Sequence, residues 1–328
     1  MAVTAGTLHQ TLHILCFEES GDCTLEQIVR SARAGDAVLV LGPTAFAQRL
    51  QSMGLASTIS VRTCNRVGGM WRWSRVGQAL ESEGACDTGA RLRLTYGPLA
   101  QRICDAFGRN DNAEPNAASP YSRATVPLEL PASVEWPQTQ IARVRSELGL
   151  ARHEAAMLVT GEPSDWVDLS FASRAVAMAR VGGANLRMVV SPNAVGIAKA
   201  QDFVAGASGG RGLIVDERAE RPWEILPALD LAMMDHDGAE FAPVACRGRR
   251  SCMRSFAEAV VPQRMSPLPA LWALACGTPV VLHESIELGA HQSHPLVTLF
   301  GADVAVLARS IHAIAVAPRA TSASAASR

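Results

Sequence analysis

The chain has 328 residues, 48% of them hydrophobic and 19% charged, with a formal net charge of −1 at pH 7. That length is enough for two domains with cores of their own, at about 100–200 residues per domain. The near-neutral balance excludes a bulk electrostatic pull toward nucleic acid or membrane, and an aromatic content of 5% leaves little for base-stacking or sugar-stacking platforms.

The opening MAVTAGTLHQTLHILCF has no basic n-region. It also lacks the ~20 apolar residues a membrane helix needs, so neither a secretion signal nor a transmembrane segment is expected. The eight cysteines are scattered singly with no CxxC pair. They read as free thiols of a cytoplasmic protein. Cys16, Cys64 and Cys276 sit in apolar runs and read as small core residues.

Leu12 to Phe17 is the first strand candidate. Thr24-Leu25-Glu26-Gln27 matches a capping box and predicts a helix to about Arg33. Ala37 to Leu41 is an uninterrupted apolar strand. Gly42-Pro43 turns into a helix through Leu50, and Ile59 to Thr63 alternates like a strand. Helical spacing resumes over Arg72 to Glu81, Arg91 to Thr95 is a fourth strand, and Gly97-Pro98 starts a helix to about Phe107. Residues 109–122 are small and polar and read as a surface loop. Val126 to Leu130 is a short proline-bounded segment, and Ala132 to Pro137 reads as an interdomain linker.

The second half is more regular. Helices are predicted over Gln138–Leu148, Leu169–Arg180 and Val195–Ala205, with Asp168 capping the second of these. Strands are predicted over Ala155–Thr160, Leu186–Val190, Gly212–Val215 and Leu231–Met234. Trp223 to Leu229 is a short helix and Val304 to Val316 a last amphipathic one. The Ala- and Ser-rich tail from Pro318 buries too little apolar surface to fold. Strand and helix alternate throughout, which predicts parallel α/β sheets.

Residues 266–285, SPLPALWALACGTPVVLHES, read as a short helix, a tight turn and a buried strand. Ser266 and Pro267 start the helix. Gly277 ends it where glycine enters the left-handed region cheaply. The run Ala275 to Val281, ACGTPVV, is similar to the same segment of retaining GT-B glycosyltransferases of the family-4 type (glycosyl transferases group 1). RVRSELGL, residues 143–150, also resembles a phrase of that family just after its interdomain crossing. The resemblance covers about Gln138 to Val316. It implies two Rossmann-like domains facing across a cleft. The acceptor-side domain spans residues 1–131, the nucleotide-sugar-binding domain 132–317, and a tail 318–328.

The resemblance implies transfer of a sugar from a nucleoside-diphosphate sugar, with retention, to an unidentified saccharide or lipid-linked acceptor. It implies no cofactor, no metal and no nucleic-acid partner. It also implies a cytoplasmic place of work, extending to peripheral contact with a membrane. A diphosphate leaving group wants cations and helix N-terminal amides, and a ribose wants a carboxylate.

This sequence departs from the family at each of these places. After the first strand of the second domain the family has Gly-Arg and then Lys-Gly. Here Gly161 is followed by Glu162, with Trp166 near the lysine position. The family's E-x7-E pair aligns with Arg264 and Trp272. Trp272 reads either as a stacking platform for a base or sugar or as a core indole. At the helix start between them, Pro267 and Pro269 lack an N–H, which leaves Ser266 and Leu268 as donors.

Arg249 and Arg250, with Arg247, Arg254 and Arg264, are candidate replacements for the missing cations. His283 and Glu284, at the end of the last buried strand, are candidate ligand contacts. Asp235-His236-Asp237 with Cys246 and Cys252 fits no familiar zinc spacing. In the first domain the loop Glu18-Glu19-Ser20-Gly21-Asp22 is acidic. It reads either as a source of a general base or as a solvated loop, and Tyr96 sits near a position where the family carries histidine. The catalytic residues are not assigned. The alternative reading is a non-catalytic GT-B scaffold acting as a binding or structural protein, since fold alone does not license activity.

Overall fold

The computed structural model describes residues 11–17, 20–64, 66–67, 70–71, 91–96, 100, 121–125, 130–162, 164, 167–207, 212–235 and 266–316. The chain divides into two compact units, residues 1–129 with 238–268 and residues 130–237 with 269–328. The first contains β1 (Thr11–Cys16), α1 (Asp22–Ser31), β2 (Ala37–Leu41), α2 (Thr44–Ser52), β3 (Ser60–Cys64), β4 (Arg66–Val67), β5 (Met70–Trp71), β6 (Arg91–Tyr96) and β7 (Tyr121–Thr125). Five strands form a sheet in the order β3-β2-β1-β6-β7, parallel at every pairing. β4 and β5 pair antiparallel as a separate ribbon.

The strand sequences explain the order. Leu12 to Cys16 and Val38 to Leu41 are buried, as strands covered on both faces must be. Leu25 and Ile28 of α1 and Phe46 and Leu50 of α2 pack with Leu15, Val38 and Val40 into one core. Three expectations need correction. α1 begins at Asp22 with Gly21 as its N-cap, so Thr24 is buried within the first turn and does not cap it. Asp22 is buried and accepts from Arg49 at 2.7 Å, so it is not a solvated loop acid. The predicted loop over 109–122 gives way at Tyr121 to β7, whose polar sequence YSRAT suits an edge strand. The helix predicted over Arg72–Glu81, most of the helix after Pro98, and Glu18 and Glu19 lie outside the described residues.

The second unit contains α3 (Gln138–Glu147), β8 (Ala155–Val159), α4 (Leu169–Val181), β9 (Leu186–Val190), α5 (Ile197–Gly206), β10 (Leu213–Val215), β11 (Leu231–Met234), α6 (Leu268–Ala275), β12 (Val280–His283), β13 (Val297–Phe300) and α7 (Val304–Val316). Its six strands run β10-β9-β8-β11-β12-β13, again parallel throughout. β8 and β9 are buried at every position. Asp168 caps α4 by accepting from the Ser170 N–H at 2.8 Å. Gly277 takes φ 68 in the turn between α6 and β12, the left-handed conformation expected of it. The predicted helix over Trp223–Leu229 is instead a series of short 3-10 turns, two of which carry proline in their first turn. β13 has no counterpart among the predicted elements.

A polar cluster ties the first sheet together at its core. His13 is 1% exposed. Its Nε2 faces Asp36 at 3.5 Å, so the ring carries its proton there. Nδ1 then accepts from the Tyr96 hydroxyl at 2.7 Å. Ser31 Oγ lies 3.3 Å from that hydroxyl, and Asp36 also accepts from the backbone N–H groups of Thr11 and Arg33. Tyr96 is therefore a core residue that links β6 to β1, in place of the ligand-facing role considered for its position. Burial lowers the His13 pKa below its usual value, against an opposing pull from Asp36. Burial pushes the Tyr96 phenol up to about 12.

A histidine whose folded pKa is depressed binds fewer protons folded than unfolded. Its contribution to stability is complete above the unfolded value of 6.5 and is lost as pH falls toward the folded pKa. The urea midpoint is therefore expected to fall as pH drops below about 6.5. His13→Gln should flatten that slope even though it lowers the midpoint overall. An unchanged slope in the variant would show that His13 is not the titrating group.

Candidate functional site

Open parallel sheets place ligands at the carboxyl ends of their strands, where the strand order reverses. In the second unit β9 and β10 lie to one side of β8, and β11, β12 and β13 to the other. The reversal therefore falls between β8 and β11. The Thr160 N–H donates to Met233 O at 3.0 Å, which carries the pairing one residue past β8. Gly161 and Glu162 follow, both buried, with Glu162 only 3% exposed. Extending the register from Val159 and Met233 brings Gly161 level with Asp235, which is also buried. Two buried acidic residues thus mark the switch point.

Next to it, one carboxylate gathers three loops. Glu220 Oε1 accepts from Ser164 Oγ at 3.1 Å, Ser191 Oγ at 2.8 Å and Asn193 Nδ2. Ser164 belongs to the turn after β8, Ser191 and Asn193 to the loop after β9, and Glu220 to the 3-10 turn after β10. The arginines of this turn are engaged with acids. Arg218 donates to both Asp216 oxygens, at 2.9 and 2.8 Å, and to Glu147 at 2.8 Å. Arg221 donates to Glu224 at 2.8 Å. The hydrogen bonds from Arg218 hold the Asp216 carboxyl below its usual range.

At the end of β12, His283 packs edge-on against Phe300 with ring centroids 5.2 Å apart, and its Nδ1 lies 2.7 Å from Ser285 Oγ. Glu284 is exposed. Phe300 in turn stacks on Phe171 of α4. Burial pushes the Cys276 thiol up to about 12, which makes it a poor nucleophile.

The candidate residues read from the sequence fall in different places. Gly161 and Glu162 sit at the switch point. Ser266 Oγ accepts from the Leu268 N–H at 3.4 Å, so that donor is turned toward its own cap. Trp272 is 1% exposed and packs against Trp223 with ring centroids 5.0 Å apart. It belongs to the core, and a base or sugar has no ring face to stack on there. Arg249, Arg250 and Arg264 lie outside the described residues, as do Trp166, His236 and the other residues of the 247–254 cluster.

The Glu220 hub and the Asp216–Arg218 pair were not singled out from the sequence. Serine and asparagine just past two strand ends, with acids past a third, were the available signal. Chemically this edge is rich in acceptors. Carboxylates and carbonyls suit the hydroxyls of a ribose or sugar, and a diphosphate requires cations from elsewhere. Among the described residues no group of three or more His, Cys, Asp or Glu side chains is arranged to hold a metal ion.

No protein-family model matches the chain, and no curated protein matches it in sequence. Solved structures do match in fold. WaaG, a glycosyltransferase involved in lipopolysaccharide biosynthesis, aligns over 93% of this chain and 90% of its own with TM-score 0.52 and 10% identity. Anabaena Alr3699/HepE, solved in complex with UDP and glucose, aligns over 93% and 89% with TM-score 0.53 and 12% identity. A UDP-N-acetylglucosamine 2-epimerase aligns over 94% and 88% with TM-score 0.51 and 9% identity. At these identities the likeness is one of fold. The chain shares their mixed α/β fold with parallel sheets, the class expected of a GT-B protein.

The buried indole pair gives a direct test of the core assignment. Trp272→Ala is expected to lower the unfolding free energy by about 3–5 kcal/mol, the usual cost of truncating a buried aromatic, and Trp272→Phe by clearly less. A loss below about 1 kcal/mol in urea denaturation, within the range of surface substitutions, would contradict that assignment.

Proposed function

We propose that the chain is a glycosyltransferase of the GT-B type that binds a nucleoside-diphosphate sugar at the carboxyl edge of its second sheet. The observation that carries this reading is the switch point between β8 and β11, with the Gly161 turn at its mouth. The ACGTPVV turn and the fold shared with nucleotide-sugar proteins support it. On this reading Gly161 lets the backbone approach the donor. Glu220 fixes the surrounding loops, and the carboxylates of the edge receive sugar or ribose hydroxyls. Arg249, Arg250 and Arg264 supply the diphosphate with the positive charge that the Gly161 turn lacks. Transfer proceeds with retention, without a metal, to a saccharide or lipid-linked acceptor in the cytoplasm.

A second reading is a scaffold of this fold without catalysis. One observation favours it. Glu162 is buried where the family carries an arginine, and a carboxylate there repels a phosphate.

A thermal-shift series with UDP, GDP, ADP, dTDP and their sugars separates the two. Ligand at a hundredfold excess over its Kd stabilises the folded state by about 2.7 kcal/mol, so binding of one nucleotide family is expected as a clear rise in Tm. A chelator should leave that rise unchanged. Arg249→Ala with Arg250→Ala should weaken binding at least tenfold, about 1.4 kcal/mol. No rise with any nucleotide at millimolar concentration would favour the non-catalytic scaffold.

A further inference from the structure

Strand β13 is an edge of the second sheet, paired on one side only, with β12. Its hydrogen bonds fix which residues face which way. The Val280 N–H donates to Leu296 O at 2.8 Å and the Glu284 N–H to Phe300 O at 2.9 Å. A parallel ladder turns every second residue of a strand toward a given neighbour. Leu296, Thr298 and Phe300 are therefore turned to β12, and Val297, Leu299 and Gly301 outward. The Val297 N–H is taken by His294 O at 2.9 Å. The Val297 carbonyl, both backbone groups of Leu299 and the Gly301 N–H are left without a hydrogen bond among the described residues. Side chains alternate between the faces of the sheet. Phe300 is buried and stacks on Phe171 of α4, so Val297 and Leu299 lie on the opposite face, where Leu299 is 44% exposed.

An open edge invites pairing with another chain, and proteins blunt it with charge, proline or a very short strand. The other edges of the two sheets carry such devices. β3 and β7 contain Arg62 and Arg123. β10 has only 3 residues and runs straight into Asp216. β13, VTLF, has neither charge nor proline. Pro295 before it cannot donate to a ladder. Asp303 after it accepts from the Ala305 N–H at 2.7 Å, where α7 begins. The open stretch is thus confined to residues 297–301.

We propose that β13 is a self-association edge, pairing antiparallel with β13 of a second copy about a two-fold axis at Leu299. In that register each Leu299 exchanges both of its backbone hydrogen bonds with its mate, as the facing residues of an antiparallel pair do. Each Gly301 N–H donates to Val297 O of the other copy, and the Val297 N–H keeps its own bond to His294. Every free backbone group of the edge is then used. The absence of charge is what suits this edge to its own copy: no like charges are set against each other, and the exposed leucines meet across the axis. The same patch meets itself, so association closes at a dimer. The carboxyl edges of the two sheets then point in opposite directions, which leaves both candidate sites open. The pairing does not depend on whether the chain transfers sugar.

The test is sedimentation velocity of the full chain over ~1–300 μM, the range in which a small interface associates. A monomer–dimer equilibrium is expected. Leu299→Arg sets like charges across the axis and should raise the dissociation constant at least tenfold. Its Tm, measured at the dilute end where both proteins are monomers, should match the wild type, because Leu299 is exposed. Hydrogen–deuterium exchange of the Leu299 and Gly301 amides should slow as the wild type is concentrated, and not in the variant. A monomer throughout the range, a dimer that Leu299→Arg leaves intact, or a dimer in which those amides exchange at the monomer's rate would overturn the proposal. A monomer in which both amides are protected at every concentration would overturn it in favour of a segment of the same chain covering the edge.

Discussion

Strand β8 is the member on which the second unit depends. All five of its residues are buried, and it is hydrogen-bonded to β9 on one flank and β11 on the other. A parallel strand can be joined to its neighbour only through a crossover, and crossovers take one hand. Successive elements must therefore build outward from β8, first through α4, β9, α5 and β10 and then on the opposite flank. The reversal of direction opens the end of β8 into a crevice. The position of Gly161, Glu162 and Asp235 follows from the apolar run AAMLV and the rule of hand, before any ligand is considered.

What stands in that crevice sets the chemistry. Two like charges ~4 Å apart repel by about 4 kcal/mol at an effective dielectric of 20. A diphosphate seated against an ionised Glu162 therefore needs cations from outside the turn. The arginines after β10 are held by Asp216, Glu147 and Glu224. Releasing them would expose those carboxylates in turn. Donor binding at this edge consequently depends on the arginines of residues 247–264, or on a ligand recognised through its hydroxyls more than its phosphates. The Glu220 hub serves either case, because it holds the loops after three neighbouring strands to one oxygen and leaves them little freedom to rearrange.

Much of the fold was legible because its cues are local. The apolar runs AVLVL, LRMVV and LAMM are strands at Ala37–Leu41, Leu186–Val190 and Leu231–Met234, and VAVLARSIHAIAV is a helix over Val304–Val316. Glycine at 277 and aspartate at 168 end and begin helices where their chemistry says they should. Elements that owe their form to neighbours were less legible. β7 and β13 are edge strands of mixed composition, and sheet pairing defines them more than their own pattern does. The stretch after β10 has helical spacing, yet Pro222 and Pro227 break it into single turns. The site was harder still to read. Trp272 aligns with a ligand position but is drawn into the core by Trp223, a contact between residues far apart in sequence. Glu220 gathers side chains from two other loops, and no spacing along the chain announces that.

The most direct measurement is hydrogen–deuterium exchange of the full chain with and without a nucleotide sugar at millimolar concentration. Binding at the carboxyl edge of the second sheet predicts slower exchange in the amides of residues 160–168 and 216–221, with the interior of β8 and β9 unchanged. Protection confined to other segments, or none with any nucleotide sugar, would contradict the placement of the donor at this edge.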